Sequence, residues 1–185
     1  MDETLIDIIG IITAIIIMLV VPLLLVSERA DDISQLLVQT ATAEFVDEVI
    51  KTGQITSKRY QQLVSALGSS GNTYDIDIEV KILDQNSAKK VVDEYGSQGQ
   101  VGNNTYYSIF TTQIEEKIRS TSDESGYGRL VLKQGDEILV TVKNNNKTLA
   151  QSLKKFYYNA TQGDIHIIAA TATGTIAING KTSEI

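Results

Sequence analysis

Ile8 to Val26 is a run of nineteen residues without a charge, interrupted only by Gly10, Thr13 and Pro22. As a helix it extends roughly 28 Å at about 1.5 Å per residue, close to the hydrocarbon thickness of a bilayer. Asp7 closes one end and Ser27-Glu28-Arg29 the other. A secretory signal peptide would show a basic n-region, a shorter apolar core and a small-residue cleavage site. Here the first seven residues carry Asp2, Glu3 and Asp7 and no Lys or Arg, so the segment reads as retained. Its orientation stays open, because Arg29 is the one base near the span, against Glu28, Asp31 and Asp32.

The helical pattern continues past the apolar run. Ile33, Leu36, Leu37, Thr40, Ala41, Phe45, Val49 and Ile50 recur at three- and four-residue spacing, which predicts one amphipathic face. Lys51-Thr52-Gly53 has the composition of a helix C-terminus. Pro22 has periodic residues on both sides, so it should bend the helix rather than end it. The expectation is one kinked helix from about Leu5 to Lys51, roughly 70 Å long. Its first half is apolar all round and its second half striped.

Beyond Gly53 the sequence predicts an antiparallel sheet with covering helices. A short helix should start at Thr56 or Ser57, present Tyr60, Leu63, Val64 and Leu67 to a core, and end at Gly68. Tyr74 to Ile82 alternates strictly, with Tyr74, Ile76, Ile78, Val80 and Ile82 on one face and Asp75, Asp77, Glu79 and Lys81 on the other. Ala88 to Tyr95 reads as a helix, Gly96 to Asn104 as a loop, and Thr112 as the opening of a capping box with Glu115. Ser120 to Gly128 reads as loop again. Arg129–Lys133 and Glu137–Lys143 read as a hairpin about Gln134-Gly135-Asp136. Thr148 should cap a helix over Leu149, Leu153, Phe156 and Tyr157, and Asp164–Ala172 and Thr175–Ile178 should form a last pair of strands. The fold class is therefore α+β, divided into an apolar helix (1–26), its amphipathic continuation (27–53) and a head (54–185).

Charge and composition narrow the function. The net charge is −7; setting aside the three acids before the apolar run leaves 16 basic against 20 acidic residues. That balance argues against a nucleic-acid partner, which needs a basic face to displace counterions, and against docking on anionic lipid. Cysteine is absent, which removes disulfides, thiolate metal sites and a cysteine nucleophile. His166, the single histidine, has no visible partners for a metal site or a triad. Asp31-Asp32, Asp47-Glu48, Glu115-Glu116 and Asp136-Glu137 read as solvated helix faces and turns rather than catalytic carboxylate pairs. No phosphate-binding loop, dinucleotide fingerprint or nucleophile elbow occurs. The three Asn-X-Thr sequences at Asn103, Asn146 and Asn159 are unsurprising in an Asn/Thr-rich chain.

The informative polar residues are Glu3 and Asp7. A carboxylate in the first turns of an apolar helix stabilises the positive end of the helix by about 0.3–1 kcal/mol. Alternatively, it pairs with the free α-amino group of a neighbouring chain and so enforces axial register, since neither charge tolerates apolar burial alone. Gly10 and Ala14 lie four apart on one face and are small enough for close helix approach, or are simply tolerated in lipid.

An apolar N-terminal helix with early acids, Pro22 and an amphipathic continuation into a sheet resembles the type IV pilin superfamily, including its Tad (Flp) branch. The stretches Glu44–Asp47, Gly53–Thr56, Tyr60, Leu67 and Gly71–Ile76 are similar to small Tad-associated membrane proteins of Gram-positive bacteria. The resemblance implies that Met1 is the mature first residue after removal of a basic leader, Glu3 or Asp7 the assembly acid, and Pro22 the bending proline. Leu5 stands where the family's usual glutamate lies, and no cysteine pair closes the head. The filament core would then involve Met1, Glu3, Asp7, Gly10, Ala14 and Pro22.

These readings converge on a structural subunit of a bacterial surface filament. It would rest in membrane lipid before assembly, pack with copies of itself afterwards, and engage pilus assembly machinery without needing a cofactor. The second expectation is a membrane-anchored accessory or binding module of such a machine. An enzyme ranks below both, because no catalytic constellation can be assembled.

Overall fold

A computed structural model describes residues 2–84, 105–121, 128–158 and 167–180. Helix α1 runs from Asp2 to Thr52 without a break and carries Pro22 inside it. Because proline has no N–H, one intrahelical hydrogen bond is missing a turn earlier, while apolar residues on both sides keep the helix in register. The helix ends where the sequence expects: Gly53 follows at φ 63°, and its N–H donates to the Val49 carbonyl at 2.8 Å. Glycine is required there twice over. Besides the left-handed φ, a Cβ on Gly53 would lie 2.5 Å from the Gly180 nitrogen, where the C-terminal strap crosses.

The other elements are β1 (Gln54–Thr56), α2 (Ser57–Gly68), β2 (Tyr74–Asp84), β3 (Thr105–Phe110), α3 (Thr111–Ser120), β4 (Arg129–Val131), β5 (Glu137–Asn144), α4 (Leu149–Tyr158) and β6 (Ala169–Thr175). Among the described residues the strands form a β1-β4 pair and a four-stranded antiparallel sheet in the order β3-β2-β5-β6. The chain is thus α+β, a long apolar N-terminal helix joined to antiparallel sheets and short helices.

The core lies between the upper part of α1 and the inner face of the larger sheet. Val38, Phe45, Val46 and Val49 from the helix pack with Ile78 and Val80 of β2 and Ile138, Val140 and Val142 of β5. Alternation along β2 and β5 sends these residues inward and their charged neighbours outward, as the sequence pattern requires. Leu63 and Leu67 of α2 and Ile114 and Ile118 of α3 close the remaining sides.

Several expectations are corrected. The anticipated hairpin does not pair with itself, since β4 joins β1 while β5 joins β2 and β6. Buried Asp136 causes the separation: its carboxylate accepts from the N–H groups of Lys133 (2.7 Å) and Leu83 (2.9 Å), so the chain turns from one sheet into the other. The last strands are not a pair but the single strand β6, which runs through Gly174. A Cβ there would stand 2.3 Å from Ile50 Cδ1, so the glycine makes room for the helix rather than for a turn. Strand β3 was not anticipated, as its Tyr106-Tyr107-Ser108 lacks clean alternation. Helix α3 begins at Thr111 rather than Thr112, and the Gln113 side chain accepts from Phe110 N–H at 3.1 Å. Val64 is exposed where α2 was expected to bury it. The helix expected over Ala88–Tyr95, the loop residues beside it and His166 lie outside the described residues.

Candidate assembly surface

Two faces of α1 define the site. The first is its lower half, where the large apolar residues from Leu5 to Val26 are exposed, apart from half-buried Leu24, and the most apolar window has none of its residues buried. The helix is long and apolar enough to cross a membrane. Its one internal hydroxyl is satisfied within the helix, because Thr13 Oγ1 donates to the Ile9 carbonyl at 2.8 Å. That arrangement suits a surface facing lipid or apolar protein, where an unpaired polar group is costly.

The second face is the side of residues 27–42 turned toward the head, and it is not the face that hydrophobic periodicity indicated. Ser27, Asp31, Ser34, Val38 and Thr42 are buried, whereas Ile33 (68% exposed) and Leu36 (64% exposed) point away. Of the anticipated face, Phe45 and Val49 are buried, Leu37, Ala41 and Ile50 are half-buried, and Thr40 is exposed. The polar groups on the head side are accounted for. Ser27, Ser34 and Thr42 hydroxyls donate to the carbonyls of Leu23, Ala30 and Val38 at 2.6–2.9 Å. Asp31 Oδ2 accepts from the Thr148 hydroxyl at 2.7 Å, and Glu28 pairs with Lys154 at 2.8 Å.

Gln35 adds a two-point clamp. Its Nε2 donates to the Ala169 carbonyl at 2.7 Å and its Oε1 accepts from Ala169 N–H at 3.0 Å, so a side-chain amide occupies the backbone edge at the start of β6. Sequence reasoning missed Asp31, Ser34 and Gln35 as packing residues; it placed Thr148 as the cap of α4, where its hydroxyl accepts from Gln151 N–H at 3.2 Å, but not as the partner of Asp31. For Asp31 and Ser34 the signal was present as the series 27-31-34-38-42-45-49, spaced by threes and fours, but four of its first five members are Ser, Asp or Thr and so are invisible to a hydrophobic reading.

Of the residues assigned to assembly, Asp7 and Ala14 are exposed and a Cβ at Gly10 would meet nothing within 4 Å. Pro22 lies inside the helix. Glu3 belongs to the helix but its side chain, like Met1, is outside the described residues. The head does not gather Asp7, Gly10 and Ala14; they stand on open helix surface.

The acidic pairs have structural partners. Glu48 pairs with Arg59 at 2.5 Å, Glu115 accepts from the Tyr60 hydroxyl at 2.8 Å, and Glu137 faces Lys81 at 3.8 Å. Burial and the Glu115 carboxylate push the Tyr60 hydroxyl up to about 12. Asn146 spends its amide on Thr73 N–H and Asn72. Among the described residues no group of three His, Asp or Glu side chains could hold a metal ion. No family model, no curated protein and no solved structure matches this chain.

Proposed function

We propose that this chain is the structural subunit of a pilus-like filament on a bacterial surface, held in the membrane by α1 before assembly and packed through α1 with copies of itself afterwards. One observation carries the reading: the exposed apolar face of α1 is longer than a bilayer requires. A single crossing needs about 20 residues, or roughly 30 Å. The exposed apolar residues run from Leu5 to Leu36, interrupted by exposed Asp7, Arg29 and Asp32. At about 1.5 Å per residue that is roughly 46 Å, so Ile33 and Leu36 rise above the hydrocarbon on the side the head leaves bare. In a bundle of parallel helices the same stripe is covered by protein along its whole length. Gly10 and Ala14 then allow close approach, and the exposed Asp7 carboxylate is available to set register.

The resemblance to type IV pilins supports this reading through architecture: a helix half free and half packed, with an antiparallel sheet on the packed half. Shearing cells and probing the sheared fraction for filaments containing this protein tests it directly. Filaments in wild-type cells that disappear in an Ile33→Ser/Leu36→Ser double variant are expected. Recovery of the wild-type protein exclusively from the membrane fraction would sink the proposal and leave a membrane-anchored accessory module.

A further inference from the structure

The larger sheet ends in two bare edges. In β6 the Ile168 carbonyl accepts from Asn144 N–H at 2.9 Å and the Ile176 N–H donates to the Asp136 carbonyl at 2.8 Å, so even-numbered residues turn their backbone groups toward β5. Odd-numbered residues turn theirs outward. The outward groups are held at both ends, by Gln35 at Ala169 and by the Ile50 carbonyl at the Ala177 N–H. Between them Thr171, Thr173 and Thr175 are exposed, and their N–H and C=O groups have no partner among the described residues. Strand β3 is the opposite edge. The Asn145 N–H donates to the Thr73 carbonyl, so odd residues of β2 face β5 and even ones face β3. Their partners include Tyr107 and Ile109, which leaves the backbone groups of Tyr106 and Ser108 pointing outward, likewise unpaired among the described residues.

The two edges complement each other. Neither strand carries a charge or a proline, the usual guards of an edge. Register places exposed Tyr106 and Phe110 of β3 on the same face of the sheet as Thr171, Thr173 and Thr175 of β6. Aromatic and β-branched residues make favourable cross-strand pairs. Direction then selects the partner. Helix α1 runs along β6 in the same sense, with Gln35 at its start and Ile50 at its end. Joining β6 to a second β6 antiparallel would set two α1 helices in opposite directions, which neither one membrane nor one parallel bundle accommodates. Strand β3 runs opposite to β6, because β3-β2, β2-β5 and β5-β6 are all antiparallel. A copy whose α1 points the same way therefore offers β3 antiparallel to β6.

We propose that β6 of one copy receives β3 of the next as an added strand, with Thr173 opposite Ser108 and Thr175 opposite Tyr106, each pair exchanging both backbone hydrogen bonds. The clamps fix this register. A slip of two residues sets Phe110 against Ala169, which Gln35 occupies, or Tyr106 against Ala177, which Ile50 occupies. Each copy gives one edge and receives the other, so the contact repeats along an array instead of closing a pair. The inference rests on the proposal that copies pack with parallel α1 helices. A strand pair this short buries less than the roughly 1,200 Å² of a specific interface, and the α1 bundle supplies the local concentration that completes it.

The chain has no cysteine, so single-cysteine variants report contacts without background. Full-length Thr173→Cys and a size-tagged Ser108→Cys are mixed, assembled, oxidised and sedimented. A hydrogen-bonded antiparallel pair has a Cα separation of about 5.5 Å, within disulfide reach. A mixed disulfide dimer is expected in the sediment. It should be lost with either variant alone, and when Val64→Cys, exposed on α2, replaces Thr173→Cys. Thr175→Cys with Tyr106→Cys reads the same register should Ser108→Cys fail to fold, judged by far-UV circular dichroism. Material that sediments without either cross-link overturns the edge contact and leaves the filament reading standing. A cross-link of Thr173→Cys to itself overturns the contact too, because it requires opposed α1 helices. If nothing sediments at any concentration, the filament reading fails and the edge contact falls with it.

Discussion

The two halves of α1 belong to one unbroken helix yet obey opposite rules. From Leu5 to Val26 the helix is apolar on every side and has almost nothing of its own chain against it. From Ser27 to Thr42 it does have a partner, and the side it offers that partner is largely polar, with Ile33 and Leu36 left outside. The difference shows that hydrophobicity decides which surface must be hidden, but not from which neighbour. Small hydroxyl side chains that bond back to their own helix let the backbone approach the head closely, and Asp31 and Gln35 fix the approach by direct hydrogen bonds. The bare apolar side is left for something that is not the head.

The sharpest way to break this comparison is to remove packing on the upper half alone. Phe45 is a buried aromatic of the core cluster and lines a cavity between α1 and α2. Phe45→Ala should destabilise the head by about 3–5 kcal/mol through lost burial and the cavity left behind. Chemical denaturation in detergent, followed by far-UV circular dichroism, measures the loss. Membrane partition of the folded fraction should be unchanged, because residue 45 is about 28 Å along the helix from Val26.

The complementary change touches the lower half alone. Ile16→Asp should cost about 2.5–3.5 kcal/mol of insertion free energy at mid-span. It should leave the thermal unfolding midpoint of the head within error, since Ile16 is exposed. An insertion assay in microsomes paired with a melting curve reads both quantities. A head that melts earlier in Ile16→Asp would mean that the halves are coupled after all.

Smaller effects sharpen the polar interface. Asp31→Ala leaves the buried Thr148 hydroxyl without its acceptor and should cost about 1–3 kcal/mol. A double-mutant cycle with Thr148→Ala isolates the pair, and a coupling near zero would show that the hydrogen bond contributes nothing. Tyr60 gives a pH signature. Its hydroxyl is raised from the ordinary 10.0 to about 12, so the folded chain holds a proton that the unfolded chain releases. The associated stability is fully present below pH 10 and is lost as pH rises through about 12. Tyr60→Phe should flatten that alkaline decline in a denaturation series between those limits, at a cost of about 0.5–1.5 kcal/mol for the bond to Glu115.

Much of this architecture was legible in the residues, for reasons that differ by element. The long helix, its end at Gly53, the Thr56 cap and the alternation of β2 follow from local chemistry and survive intact. The pairing of β4 and β5 with other strands was not legible, because the buried Asp136 that parts them looks like an ordinary turn residue in sequence. The separation expected between Ala172 and Thr175 was misjudged too, since Gly174 lies within β6, where Ile50 needs its space. For the candidate surface, the exposed apolar run and Gly10 were readable, whereas the side on which the head docks was not. A side chain such as Gln35 reveals its role when Ala169, 134 residues away, is brought beside it.

The mildest substitution for folding is the most telling for assembly. Ile33 and Leu36 touch little of the head, so Ile33→Ser/Leu36→Ser should change its stability by no more than about 0.5 kcal/mol. If the outer stripe is covered by neighbouring subunits, each side chain forfeits about 1.5–3 kcal/mol of burial per subunit. The concentration needed for assembly should then rise roughly tenfold or more, since about 1.4 kcal/mol corresponds to tenfold. Sedimentation of assembled material against monomer across a concentration series measures the shift. A lipid-only role predicts no shift, because two serines above the hydrocarbon edge leave the crossing itself untouched.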